Sequence, residues 1–273
     1  MNSISSVLEL ERIEQDIFRG KSVDLNTGQV YGGQVLGQAI VAAQQTIEDR
    51  ELHSVHAYFL RRGDVEAPIV YKVDRSRDGR SFGSRRVVAI QHGRPIFTLS
   101  ASFQTHEAGL EYETRLDLPA IPDARESNLR SSGGAMRPSQ SIEIRAVPSS
   151  ELTDPNGIQW WIRAQLPEAS SDDTHRAVFA YMSDLGLLAT TLIPHGYPIV
   201  TDRERRHREI VMASIDHAIW YHRSFRADEW LLYDCSPLST SGGRGLARGS
   251  VYSRSGELVA TTIQEGLIRQ KVL

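Results

Sequence analysis

The sequence predicts an α+β protein made of two tandem copies of one plan, each a helix wrapped by an antiparallel sheet. Three observations carry this. The same order of elements occurs twice, in residues 1–106 and 139–273, with a connection over 107–138 between them. Each half has one run of apolar residues at helical spacing among several strand-like runs. The strands follow in series through short turns, which argues against a doubly wound parallel sheet.

In the first half, Ile17 to Ser22 reads as a strand, and Gly32-Gly33 opens a helical run with Leu36, Ile40, Ala43 and Ile47 on one face. Strands are expected at Ser54–Arg61, Ile69–Val73 and Ser84–Gln91, a turn at Gly93, and a closing strand at Ile96–Gln104. The connection holds Pro119, Pro122, Pro138 and the Ser131-Ser132-Gly133-Gly134 cluster, with little periodicity. The second half repeats the order. Strands at Ser141–Val147 and Gln159–Arg163 precede a helical run through Val178, Tyr181, Leu185, Leu188 and Leu192. Strands at Ile210–Arg223, Glu229–Ser236 and Gly245–Tyr252, a turn at Ser255-Gly256 and a strand at Leu258–Ile268 complete it. Letters recur too: His56-Ala57-Tyr58-Phe59-Leu60-Arg61 echoes the stretch from His217-Ala218 to Arg223, and Phe18-Arg19-Gly20 echoes Ile162-Arg163-Ala164.

Composition excludes several function classes. With 31 basic and 34 acidic residues the net charge is −3, so no bulk basic charge recruits nucleic acid or an anionic membrane. Lysine occurs only at positions 21, 72 and 271, leaving 28 of the 31 basic residues as arginine, a bias that can come from genome composition as well as from anion binding. The single cysteine, Cys235, excludes an internal disulfide and a multi-thiolate metal site and suggests a reducing compartment. Glu9, Glu11, Glu14 and Asp16 leave no apolar signal-peptide core, and no stretch is read as a bilayer span. The ending Lys271-Val272-Leu273 is not a Ser-Lys-Leu peroxisomal address. The expected location is cytoplasmic.

Several motifs invite a functional reading that their context weakens. Gly79-Arg80-Ser81-Phe82-Gly83 matches G-x-S-x-G, but a nucleophile elbow needs a following helix and the next residues, Arg85 to Ile90, are β-rich; a hairpin loop fits better. Gly32-Gly33-Gln34-Val35-Leu36-Gly37-Gln38 lacks the lysine and hydroxyl of a P-loop. Its glycines either leave helix-start N–H groups open to an anion or carbonyl oxygen, or serve close packing. His53 and His56 fall on opposite faces of a strand, so shared metal binding is disfavoured; buried, hydrogen-bonded histidines fit them and His217 and His222 better. Cys235 lacks an evident base and reads as a buried thiol.

Asp184 is the odd residue in its apolar helical run. It is either a boundary residue or a carboxylate held in an apolar site, where desolvation would raise its pKa and suit it to general-base work. Strand alternation puts Ser214 and Asp216 on the same face. Gln264 and Glu265 interrupt an apolar last strand. A buried amide or hydroxyl without a partner costs roughly 1–3 kcal/mol, so Asp184, Ser214 and Gln264 are expected to satisfy one another around a shared water.

These motifs together resemble the acyl-CoA thioesterase II family over nearly the whole chain. The resemblance rests on Phe18-Arg19-Gly20, the run Val30 to Ala39, His53 to Arg61, Asp78 to Phe82, Arg85-Arg86-Val87, and Gln91 to Phe97. It continues in Ser183-Asp184-Leu185, Ile215-Asp216-His217 and Gln264-Glu265-Gly266. It implies a double hotdog fold, two helix-in-sheet units fused in one chain. It also implies an Asp–Thr/Ser–Gln catalytic trio in the second unit, carried by Asp184, Ser214 and Gln264. Ser214 stands where many relatives have threonine, which keeps the hydroxyl but drops the methyl that stiffens its rotamer. The segment Pro194 to Glu209, with Arg203, Arg205, Arg206 and Arg208, departs from the family pattern; a lid, a contact for the CoA phosphates and a disordered loop stay open, with an exposed loop as the default expectation.

The expected activity is hydrolysis of acyl-CoA to free acid and CoA, with no metal or organic cofactor implied. Gly32, Gly33, Gln34 and His56 are candidate oxyanion or pocket residues, the start of the Asp184 helix being an alternative oxyanion site. An apolar channel along the helices is expected for the acyl chain. Two rivals stand beside this reading: a hotdog enoyl-CoA hydratase using Asp216 and His217, and an acyl-CoA-binding regulator without turnover. Acyl-CoA is the expected small-molecule partner, and the sheet's edge and face suggest a homo-oligomer.

Overall fold

The computed structural model of the chain describes residues 3–123, 141–152, 154–199 and 203–271. Positions 124–138 of the expected connection, with its serine–glycine cluster and Pro138, lie outside them. The first unit contains α1 (Ile4–Leu8), β1 (Leu10–Glu14), β2 (Ile17–Gly20), α2 (Gly32–Gln44), β3 (Glu51–Phe59), β4 (Ile69–Asp78), β5 (Phe82–Gln91) and β6 (Arg94–Gln104). The second contains β7 (Ile142–Ala146), β8 (Ile158–Ala164), α3 (Asp172–Ser183), a 3-10 helix at Leu188–His195 and α4 (Arg203–Glu209). It finishes with β9 (Ile210–Ser214), β10 (Asp216–Tyr221), β11 (Leu231–Ser241), β12 (Arg244–Tyr252) and β13 (Leu258–Gln270).

The strands form one sheet in the order β1-β2-β4-β5-β6-β3-β10-β13-β12-β11-β8-β7, with β9 added on β13. The order is palindromic about the central β3–β10 pair, which is antiparallel, as the two-copy reading expects. This is a double hotdog. The period-2 pattern places Arg85, Val87, Ala89 and Gln91 of β5, and Thr262, Gln264, Gly266 and Ile268 of β13, on the inner face. The two long helices lie against that face and against each other. Contact between them is close because α2 turns glycines toward α3: a Cβ on Gly33 would lie 2.4 Å from the Tyr181 carbonyl oxygen, and one on Gly37 3.1 Å from that of Ala177.

Several elements differ from the sequence expectation. The helical run through Leu192 breaks: α3 ends at Ser183, Asp184 is its C-cap, and Gly186 takes φ +81° before the 3-10 helix begins. A Cβ at Gly186 would sit 2.0 Å from the Trp160 ring, so glycine is required there by both conformation and space. Read as one run, Asp172–His195 is long and apolar enough to count as a bilayer span, contrary to the expectation that no stretch does; 78% of its most apolar window is buried inside the protein, as in a core helix. The expected strand from Ile210 to Arg223 divides at Ile215. Helix α1 and strand β1 were not anticipated, being short and, for β1, almost wholly exposed.

The described part of the connection is not free chain. Leu116, Leu118 and Ile121 pack on Val147, Trp161, Trp230, Leu232 and Tyr252, forming a second small core on the outer face of the second unit's sheet. Nor do the described residues of Pro194–Glu209 form an exposed loop: the 3-10 helix runs to His195, Tyr197 is buried, and α4 covers Arg203–Glu209. Arg205 pairs with Glu209 at 3.2 Å and lies over the Tyr197 ring, and the buried Arg206 donates to the carbonyls of Pro198 and Ile199. The G-x-S-x-G stretch forms the tight β4–β5 turn, closed by Gly79 N–H on the Phe82 carbonyl at 2.9 Å. The His-Ala echo is out of step with the fold: Ala57 pairs with His217 and His56 with Ala218, so His217 faces inward and His56 outward.

Candidate active site

Asp184, Ser214 and Gln264 come together on the inner side of the sheet. Gln264 is fully buried, and its Nε2 donates to Asp184 Oδ1 at 2.6 Å and to Ser214 Oγ at 3.0 Å. The carboxylate accepts only, which fixes the amide orientation. Both amide hydrogens are then engaged, so Ser214 Oγ is an acceptor from Gln264 and its own O–H is directed elsewhere. Asp184 reaches the site because α3 ends one residue before it. On its other side stands the start of α2, where the Gly33 N–H donates to the carboxylate and a Cβ on Gly32 would lie 2.7 Å from Oδ2. The site therefore lies between the two units, and the Phe59 ring stands beside it, 2.9 Å from a Cβ placed on Gly32. Burial raises the Asp184 pKa from 3.8 to about 6, against the opposing hydrogen bonds from Gln264 and Gly33.

Ser214 enters by a β-bulge. β9 pairs Ser214 with Gly266, and β10 pairs Ala218 with Ile263, so four steps on one strand oppose three on the other. Ile215 is the extra residue, its N–H bonded to the Glu265 carbonyl and its own carbonyl accepting from Phe59 N–H, both at 2.9 Å. An extra residue exchanges the faces of all that follows. Ser214 thus shares the inner face with Gln264, whereas Asp216 lies on the outer face and accepts the Glu265 N–H at 2.8 Å. The expectation that Ser214 and Asp216 point the same way is overturned. Asp216 and His217 also face opposite sides; His217 is fully buried, with Nε2 2.9 Å from Ser183 Oγ. They cannot work on one substrate as a hydratase pair.

The remaining candidates are placed as follows. Gln34 is buried but turned from the trio: its Oε1 accepts from Val23 N–H and its Nε2 donates to the Lys21 carbonyl at 2.7 Å. His56 is on the outer face, edge-on to Trp220 at 5.1 Å. The start of the Asp184 helix is excluded as an oxyanion site, because Asp184 caps the other end and the 12 residues of α3 span about 18 Å. Gly32 and Gly33 do stand at the trio, with the Gly33 N–H already given to Asp184. His53 and His222 bond Ser102 and Thr261 at 2.8 and 2.9 Å, and Cys235 is buried with its pKa pushed well up by desolvation. Among the described residues no three His, Cys, Asp or Glu side chains gather as metal ligands.

A cavity of about 570 Å³ lies beside Glu11, Arg19 and Lys21, and one of about 280 Å³ beside His56, Ser84, Arg86 and Ser100. Neither is lined by the trio. Sequence reasoning missed Phe59, the Ile215 bulge and the buried Tyr31 and Tyr233, whose hydroxyls donate to the Tyr181 and Ser183 carbonyls of the turn before Asp184. Tyr31 stands directly before the glycine pair, which is a usable signal; the bulge leaves none.

Two family models match the chain: an acyl-CoA thioesterase N-terminal domain over residues 22–104 and an acyl-CoA thioesterase C-terminal domain over 115–268. The acyl-CoA thioesterase 2 of Haemophilus influenzae is 37% identical over 98% of this chain and 98% of its own. Human acyl-coenzyme A thioesterase 8 is 35% identical over 98% of this chain and 89% of its own. A crystal structure of an acyl-CoA thioesterase II from Mycobacterium marinum is similar with a TM-score of 0.83 at 39% identity, covering 98% of this chain and 99% of that one.

Proposed function

The chain belongs to the acyl-CoA thioesterase II family, and from that premise we propose that it hydrolyses acyl-CoA through a water held by Asp184, Ser214 and Gln264. The observation that carries the proposal is the buried carboxylate tied through one amide to a serine, at the glycine-opened start of α2. Asp184 takes a proton from the water as its oxygen adds to the thioester carbonyl. Gln264 and Ser214 fix the carboxylate and the water; Gln264 Oε1, buried and without a donor among the described residues, favours a water that donates to it. The carbonyl oxygen becomes an oxyanion beside the first turn of α2. There Gly32 has the remaining N–H without an intrahelical partner. Collapse breaks the C–S bond, and the proton on Asp184 passes to the leaving sulfur, giving the free acid and CoA.

Thiol release from a panel of acyl-CoAs tests this. The native protein is expected to turn over, with Asp184→Asn reducing kcat about 10²–10⁴-fold and Gln264→Ala also lowering it. Hydrolysis undiminished in Asp184→Asn would sink the assignment. Tight binding without thiol release would favour the regulator, and loss of enoyl absorbance without thiol release a hydratase working through residues other than the Asp216–His217 pair. A reducing, cytoplasmic setting belongs to the same proposal, supported by the one buried cysteine. So does self-association, which sedimentation showing only monomer at micromolar concentration would contradict.

A further inference from the structure

A helix ends with four carbonyls that lack intrahelical partners. In α3, whose C-cap is Asp184, these belong to Tyr181, Met182, Ser183 and Asp184 itself. Each has a donor. Met182 accepts from Leu185 N–H and Asp184 from Gly186 N–H, both at 3.0 Å, while Ser183 Oγ donates back to the Ala180 carbonyl at 2.9 Å. Tyr181 accepts from the Tyr31 hydroxyl and Ser183 from the Tyr233 hydroxyl, both at 2.9 Å. Because Ser183 Oγ donates to Ala180, the ring nitrogen of His217 at 2.9 Å is its donor, which defines the His217 tautomer as Nε2–H.

We propose that Tyr31, Tyr233 and His217 are positioning residues that clamp the last turn of α3 and thereby aim Asp184 at the reacting water. The proposal rests on the reading of Asp184 as the base. Its donors come from both units. Tyr31 is the N-cap of α2, two residues before the Gly33 whose N–H meets the carboxylate, so one segment holds both the helix end and the acid. Tyr233 reaches across from β11 and is held by Thr262 Oγ1 at 2.8 Å, on the strand that carries Gln264. His217 stands on β10, beyond the bulge that sets Ser214. The clamp thus ties the helix end to the strands that place the other two members of the trio. Burial holds both phenols well above their ordinary pKa, so they remain donors across the working pH range.

Tyr31→Phe and Tyr233→Phe each remove one oxygen and leave the ring. Each is expected to lower kcat about tenfold with KM within about twofold, since small misplacements of a reacting group are costly. A loosened turn admits water to Asp184, so the acid limb of the kcat profile should move to lower pH. In an Asp184→Asn background neither substitution should lower the residual rate further. Unchanged kcat, or an equal loss in that background with an unmoved acid limb, would overturn the proposal and leave a merely structural role. The two sites lie in different units, so either variant that folds decides it. If Asp184→Asn itself hydrolyses normally, the base assignment is what fails.

Discussion

Asp184→Asn should make the protein more stable at alkaline pH relative to the native chain than at acid pH. An acid whose pKa rises on folding binds its proton more tightly in the native state. Its contribution to stability is therefore complete below the unfolded pKa, near 3.8, and is lost as pH rises through about 6. At 1.36 kcal/mol per pH unit, the shift from 3.8 to about 6 corresponds to about 3 kcal/mol. Asparagine does not titrate, so the variant escapes that change. Its fixed cost, an amide NH₂ set against the Gly33 N–H, does not vary with pH. Measured from pH 4, already just above the unfolded pKa, to pH 8, the stability difference between variant and native protein should move by about 2 kcal/mol in the variant's favour. For a chain of this size that is about 4 °C in midpoint. Thermal or urea unfolding at matched ionic strength reads it. A difference that stays constant across the range would refute the buried, raised carboxylate.

Gly33→Ala puts a methyl 2.4 Å from the Tyr181 carbonyl oxygen; it should cost about 1–3 kcal/mol or more and abolish activity, and a variant of native stability and rate would contradict the packing account. Deleting Ile215 removes the bulge and turns Ser214 to the outer face, so a folded deletion variant should lose as much kcat as Ser214→Ala. Ser214→Thr keeps the bond to Gln264 and restricts the rotamer, so kcat should hold or rise; a loss beyond about tenfold would show that the methyl does not fit.

The two-copy plan was legible because hydrophobic period is a property of sequence. Every strand was foreseen at least in part except β1, whose exposed Leu10–Glu14 has no apolar face to announce it, while β4 and β11 run five residues past their expected ends and one expected strand divides into β9 and β10. Polarity where burial was expected marked Asp184, Ser214 and Gln264 but also Asp216 and Glu265; the resemblance to the family singled out the three that the structure joins. What failed was local geometry decided by tertiary pairing. Alternation assigned Ser214 and Asp216 to one face, and only the register of β13 against both β9 and β10 shows that Ile215 separates them. The helical pattern continued past Asp184 because Leu185, Leu188 and Leu192 are indeed buried, although the φ of Gly186 ends the helix. Gly32 and Gly33 were read as either packing or anion-facing. They are both, because the carboxylate they face belongs to the protein's own second unit.

The central claim, that a buried Asp184 with a raised pKa is the base for thioester hydrolysis, is tested most directly by the pH dependence of kcat/KM for thiol release. The free enzyme should lose activity as pH falls, along a single limb with an apparent pKa of about 6 set by burial of Asp184. A profile flat down to pH about 4.5, or a limb at the ordinary carboxylate range near 3.8, would contradict it.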